Sequence, residues 1–207
     1  MIKNSEMLFI YDATMCNPNG DPDDENRPRM DYERERNLVS DVRLKRYIRD
    51  YLQDKGYEIF VAKFEDQTVN ATQRLKKLIE DNKQKINVNK IDKDGIEWLL
   101  SKLIDVRLFG ATMPIKSEDT KGSSLTFTGP VQFNWGYSLN KVRLVDSSGI
   151  TSHFGSEEGK TQGAMGKDYR VYYSLIAFHG IISGNRAKLT NLQKEDIKLL
   201  DEAILKA

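Results

Sequence analysis

Cysteine occurs once in 207 residues, as Cys16. One thiol cannot build an internal disulfide framework, and its scarcity fits a reducing cytoplasm. Histidine occurs twice, as His153 and His179. One Cys and two well-separated His are too few for a Cys/His structural zinc site. No stretch approaches the roughly 20 consecutive apolar residues of a membrane span. The opening MIKNSEMLFIYDA has neither the long apolar core nor the small-residue cleavage site of a signal peptide. These absences predict a cytoplasmic chain with no membrane contact. Excess charge is scarce too: 32 Lys and Arg against 31 Asp and Glu leave +1, which counts against holding nucleic acid by bulk electrostatics. What remains, 39% hydrophobic and 30% charged, suits a globular chain with a substantial core, as one large domain or one domain with insertions.

The charges that are present are unevenly placed. Residues 12–25 hold Asp12, Asp21, Asp23, Asp24 and Glu25 with no Lys or Arg. Residues 26–49 hold eight cations (Arg27, Arg29, Arg34, Arg36, Arg43, Lys45, Arg46 and Arg49) against four acids. An acidic loop followed by a basic segment allows a local anion-binding face on a near-neutral protein, and lets copies attract one another. From Arg36 to Leu52 the spacing predicts an amphipathic helix. Leu38, Val42, Leu44, Ile48, Tyr51 and Leu52 share one arc, with Arg36, Arg43 and Arg46 opposite. Lys45 projects from the apolar arc, one turn after Asp41. Two readings stay open: an Asp41–Lys45 pair at i,i+4, or a phosphate-binding lysine flanked by Arg46 and Arg49.

Along the chain, Met7–Tyr11 has strand character and runs into the turn formers of NPNGDP. The spacing Asn17-x-Asn19-x-Asp21 hints at a calcium loop, but Pro22 sits where its glycine belongs and Pro28 replaces its final glutamate. Asp21 to Glu25 therefore read as a solvated turn. Gly56 is a plausible helix stop. YEIFVAKF (57–64) reads as a strand, and helices are expected near 70–80 and 94–104 with a polar stretch between them. Leu125 to Val145 reads as an extended strand kinked at Gly129-Pro130 and Gly136. Residues 149–166 hold Gly149, Gly155, Gly159, Gly163 and Gly166, which predicts a protruding flexible loop or hairpin. Residues 169–182 read as a second, buried strand. Thr190 is expected to cap a last helix, with Gln193 at the capping-box position and Ile197, Leu200 and Ile204 as its buried stripe. Set aside 56–104 as an insertion, and the order is β-α-β-β-α. That is an α+β, ferredoxin-like (RNA-recognition-motif-like) core whose final strand is apparently missing.

Five blocks carry a resemblance, in order: LFIYDATMCNPNGDPDDENRPR, VSDVRLKRYIRD, DVRLFGATMP, GPVQFNWGYSLN and AMGKDYRVYYSLIAFHG. Together, from about residue 5 to 200, they resemble the backbone subunit of type I-B CRISPR effector complexes (Cascade), within the repeat-associated RNA-binding superfamily. The resemblance implies a hand-like fold. Residues 1–55, 105–145 and 169–207 would form the ferredoxin-like palm, 56–104 helical fingers, and 146–168 a glycine-rich thumb hairpin. It also implies the partners: CRISPR guide RNA, further copies of the chain in a helical filament, other Cascade subunits, and the target DNA strand by way of the guide. No cofactor or metal is implied.

By the same resemblance Lys45, Arg46 and Arg49 contact the RNA backbone, beside the hydroxyl of Ser40. Such groups read phosphate and not base identity, as a protein that must hold any guide requires. Arg27, Arg29, Arg43 and Lys167 join them as cations of the matched stretches. Gly110, Thr112 and Met113 fall in a loop expected near the RNA, where small residues allow close backbone approach. Met113 or Met165 would wedge against bases, or else fill the core. Gln132, Asn134 and Ser138 alternate along one strand and would reach sugar or phosphate, or else face solvent. No catalysis is expected. The alternatives are a type III-like subunit that cuts target RNA with a metal, where Asp31 is the loop acid to consider, and a stand-alone RNA-binding module using exposed strand aromatics.

Overall fold

The computed structural model describes residues 1–62, 70–87, 91–116, 124–146, 149–151 and 165–207. In chain order these form β1 (Ser5–Cys16), β2 (Gly20–Asp21), β3 (Arg27–Pro28), β4 (Met30–Asp31), β5 (Arg36–Val39) and α1 (Asp41–Asp54). Then follow α2 (Ala71–Asp81), α3 (Lys93–Lys102), α4 (Ile104–Phe109), β6 (Gly110–Lys116), β7 (Ser124–Thr128), β8 (Val131–Phe133) and β9 (Gly136–Ser138). The last are β10 (Gly149–Thr151), β11 (Met165–Lys167), β12 (Val171–Ile182), α5 (Gly184–Leu189) and α6 (Lys194–Lys206). Two compact units share the chain. The first is Met1–Met7, Leu44–Phe133 and Gly180–Ala207, and the second is Leu8–Arg43 and Asn134–His179. The expected fingers, 56–104, fall within the first and the expected thumb, 146–168, within the second.

In the first unit, the apolar faces of α2 and α3 bury Leu75, Leu78, Leu99 and Leu100 in one cluster with Phe60, Ile91, Leu103, Val106 and Met113. Both helices start on capping side chains. Asn70 Oδ1 accepts from Gln73 N at 2.9 Å, and Asp92 Oδ1 accepts from Gly95 N at 2.8 Å. The β6–β7 hairpin lays Ala111, Leu125 and Phe127 against the same cluster. It leaves Thr112 and Thr126 outside, opposite one another in register. The start of this hairpin is crowded. A Cβ on Gly110 (φ +73) would lie 2.2 Å from the Phe127 carbonyl oxygen, and one on Gly129 would lie 2.1 Å from Phe109 C. Only glycines allow these two backbones to pass. β12 ends in this unit, pairing with β8 as Gly180↔Phe133 and Ile182↔Val131.

In the second unit, the antiparallel strands run in the order β1-β12-β9-β5-β4. Ile176 faces Ser138 and Leu38 faces Tyr137 across neighbouring strands. One face stacks Tyr11 on Phe9 and Phe178, with ring centroids 5.6 and 6.3 Å apart. Gly136 is required there, since a Cβ would lie 2.4 Å from the Phe178 ring. Buried Asn37 joins three strands. Its backbone N donates to Ser138 Oγ at 3.0 Å, its Oδ1 accepts from Ser174 Oγ at 3.1 Å, and its Nδ2 donates to the Arg29 carbonyl at 2.9 Å.

Several expectations need correction. Arg36–Val39 is strand, so the basic helix begins at Asp41, and Val42, placed in its apolar arc, is 63% exposed. The helix does stop at Gly56 (φ +85). The Tyr57 N–H reaches the Leu52 carbonyl at 3.0 Å and the Gly56 N–H the Gln53 carbonyl at 2.8 Å, a Schellman end. No strand forms in the described part of 57–64, because side chains take its backbone groups. Asp105 accepts from Phe60 N and Val61 N, and Arg74 donates to the Ile59 carbonyl. The long strand of 125–145 is cut into β7, β8 and β9 at the expected kinks. Thr190 ends the short α5, which the sequence reading missed; α6 is capped instead by Gln193, with Asp196 at N3. Tyr172 and Tyr173, expected within a buried strand, are 45% and 43% exposed. Of the glycine-rich thumb, the structure describes the β10–β11 ladder at its base; residues 147–148 and 152–164 lie outside the described residues.

Candidate nucleic-acid interface

In the first unit, α1 carries Lys45 and Arg49 one turn apart with Arg46 beside Lys45, and their surroundings differ. Lys45 Nζ lies 5.8 Å from the centroid of the Phe109 ring. Arg46 donates to the Val61 carbonyl at 2.8 Å and pairs with Asp50 at 2.7 Å, and stays half-buried. Arg49 is buried. Its Nε meets Asp105 Oδ2 at 3.0 Å while its guanidinium stands 5.1 Å over the same Phe109 ring. Asp105 is buried too, and its two oxygens also take the Phe60 and Val61 N–H groups at 2.8 and 3.1 Å. A carboxylate so completely bonded is a structural hub. Arg49 therefore braces the start of the 56–104 segment from a buried position, with a structural partner in place of the exposed setting expected of an RNA contact.

The second unit gathers another set of cations around aromatic rings. The Arg27 guanidinium sits 4.8 Å over Tyr169, and that of Arg29 sits 5.8 Å over Trp135. Arg29 also pairs with Asp21 at 2.9 Å. Glu25 is the centre of this group. Lys167 Nζ donates to its two oxygens at 2.8 and 3.0 Å, and the Tyr169 hydroxyl donates to Oε2 at 2.6 Å. The Lys167 ammonium first, then the Tyr169 hydroxyl, hold the Glu25 carboxyl down to about 2, although it is exposed. The turn read as merely solvated is thus an acidic partner for the cations of its own unit.

The other candidates divide by burial. Ser40 is buried at the start of α1, where it donates to Asn19 Oδ1 through both its N and its Oγ at 2.9 Å. Ser138 is buried, with Oγ accepting from Asn37 N and donating to the Asn140 carbonyl. Gln132 donates to the Gly129 carbonyl at 2.9 Å and holds that kink. These three were expected as polar contacts, but each is used inside the fold. Within the second unit Asn134 is exposed and Ser138 buried, so these two do not share a solvent-facing side. Met113 is 0% exposed in the first unit's core, so it fills and does not wedge. Gly110 serves the hairpin crossing. Thr112, Arg43, Asn134 and Lys167 are at the surface; the Met165 side chain lies outside the described residues. Asp31 accepts from Arg34 through its backbone N and its guanidinium, at 3.1 and 2.9 Å, which lowers its pKa. The sequence reading missed Phe109, Trp135, Tyr169, Glu25 and Asp105. All five lie within the blocks that carry the resemblance, but nothing local gave their roles.

A family model for CRISPR-associated protein Cas7 matches residues 3–207. The chain belongs to the Cas7 family. A CRISPR-associated protein Cas7 of Haloferax volcanii is 37% identical over 213 residues, which cover 97% of this chain and 62% of that relative. The chain thus spans less than two thirds of the length of this Cas7 relative. Among solved structures, a chain of a CRISPR RNA-guided surveillance complex in a pre-nicking state superposes with a TM-score of 0.58 at 12% identity, covering 99% of this chain and 72% of that one. A second surveillance-complex chain gives 0.54 at 13% identity, over 98% and 60%. These two likenesses show a shared fold, a mixed α/β architecture with antiparallel sheets. Among the described residues no helix is long and apolar enough to cross a membrane.

Proposed function

We propose that this chain is the backbone subunit of a CRISPR effector complex, holding guide RNA without regard to sequence. Further copies assemble along the RNA, and with other effector subunits they present the guide to a target DNA strand. The subunit cuts neither strand. The observation that carries this reading is the Cas7 family match along residues 3–207. The geometry supports it. Lys45 beside Phe109, Arg27 over Tyr169 and Arg29 over Trp135 are cations set against rings, a combination suited to phosphate charge and to any base. The strand order β1-β12-β9, first-third-second among the core strands, supports a ferredoxin-like palm, with 56–104 as fingers and 146–168 as thumb. The bonding of Asp31 to Arg34 favours the non-catalytic reading over a type III-like one.

Salt-dependent affinity tests this directly. Each phosphate contact to a single strand adds ~0.7 to the slope of log K against log salt, so loss of two lowers it by about 1.4. Lys45→Ala with Arg46→Ala should weaken binding of unrelated RNAs equally, with a slope reduced by up to that amount. A folded double variant with an undiminished slope refutes the helix as the site. A second reading, base stacking on the exposed strand tyrosines of an RNA-recognition-motif-like module, draws on the exposure of Tyr137 and Tyr173. Loss of binding in Tyr137→Ala with Tyr173→Ala, and none in the helix variant, would select it.

A further inference from the structure

Lys167, Arg27 and Tyr169 converge on one carboxylate that belongs to the chain itself. Glu25 accepts two bonds from Lys167, at 2.8 and 3.0 Å, and one from the Tyr169 hydroxyl, at 2.6 Å. Arg27 Nη2 lies 3.7 Å from Glu25 Oε2 and 3.5 Å from the Tyr169 hydroxyl, so the tyrosine is held between cation and acid. Arg27 stacks on the Tyr169 ring and is kept from drifting away. Asp24 completes the surround, 3.8 Å from Arg27 Nε. All of this is at the surface: the Arg27, Lys167 and Glu25 side chains are 40%, 58% and 53% exposed. An exposed acid contributes little to stability by pairing with lysine. Yet the chain adopts positive φ at two successive non-glycine residues, Glu25 (+48) and Asn26 (+62), at the tip of the β2–β3 hairpin that presents it.

Two cations and a hydroxyl around a two-oxygen anion of charge −1 are also the donor set of a phosphodiester. Its two non-bridging oxygens and single charge match those of a carboxylate. We propose that Arg27, Lys167 and Tyr169 form a phosphodiester site that the chain closes with its own Glu25, so that RNA enters by exchange for the carboxylate. This deepens the RNA-binding reading above and rests on it. Against Arg27, Lys167 and Tyr169 one singly charged anion replaces another, so the cations stay matched. A bound RNA phosphate has to displace Glu25, and stray single phosphates meet an occupied site. A glutamate is ionised at physiological pH, and Lys167 and Tyr169 hold the Glu25 carboxyl lower still, at about 2, so the exchange is not a proton switch.

The test compares the full chain with Glu25→Gln and Glu25→Asp, using single-stranded RNA in one arm and inorganic phosphate in the other. Thermal melts confirm folding, and the shorter carboxylate of Glu25→Asp guards against an effect of lost charge alone. Glu25→Gln should bind RNA about two- to five-fold tighter, the range an exposed ion pair is worth. Its salt slope should be steeper by ~0.7, because in the natural chain the displaced Glu25 carboxylate takes back a cation that the phosphate contact releases. Glu25→Asp should gain less, and adding Lys167→Met should abolish the gain. RNA affinity unchanged or weakened in Glu25→Gln, with the natural chain binding RNA, overturns the exchange and leaves the RNA-binding reading standing. Phosphate bound by Glu25→Gln, seen as a shift of the Lys167 Nζ resonance, with no RNA bound by either form, keeps the site and overturns the reading. Binding of neither ligand by any form overturns both.

Discussion

Arg49 and Lys45 are one turn apart on α1, and both approach the ring of Phe109, yet they do different work. Arg49 is buried against Asp105, which is itself 1% exposed. Removing one partner of a buried pair leaves an uncompensated charge, at about 3–5 kcal/mol. Arg49→Met should therefore lower the unfolding free energy from urea denaturation by an amount in that range and leave the salt slope of RNA binding by the folded fraction unchanged. The opposite pattern, full stability with a reduced slope, would return Arg49 to the interface. On a helical wheel the two cations are indistinguishable. Their difference comes from a carboxylate 56 residues further along the chain, which no local spacing reveals. The same holds for Met113 and Ser138, whose fates depend on long-range packing. What was legible at this scale was chemistry tied to a local turn: the stop at Gly56 and the cations that border the acidic loop.

At the scale of elements, α2 and α3 fell close to the stretches 70–80 and 94–104 where helices were expected, because helical patterning is local. The cuts at Gly129-Pro130 and Gly136 were legible for the same reason. The 57–62 segment misled because β-branched and aromatic residues there serve a core while their backbone bonds go to Asp105 and Arg74. The helix α5, GNRAKL, is too short for a periodic signal, and its presence displaces the cap of α6 from Thr190 to Gln193. The crossing of Gly110 and Gly129 yields a sharp expectation. Gly110 combines φ +73 and ψ 173, a region almost closed to other residues, with a neighbouring carbonyl 2.2 Å from any Cβ. Gly110→Ala should cost about 2–5 kcal/mol, strain and overpacking combined. Gly56→Ala, at φ +85 with open space around it, should cost only about 1–2 kcal/mol. Equal unfolding midpoints for the two variants would show that the hairpin does not need the close crossing.

At the scale of the whole molecule, a net charge of +1 hides two local sets of cations, each beside aromatic rings within its own unit. Sequence could show that the cations exist and that they cluster. The rings that accompany them, and the acid that holds Lys167, came together only through strands far apart in the chain. On the backbone role proposed above, such surfaces would face RNA in many copies instead of one. On that proposal each copy that binds RNA beside another would share in ordering the strand, which would couple binding to assembly. Native mass measurement of the protein with RNAs of increasing length tests this most directly. The account predicts that the number of bound copies rises in steps proportional to RNA length, for unrelated sequences alike. A single copy bound at every length would contradict it.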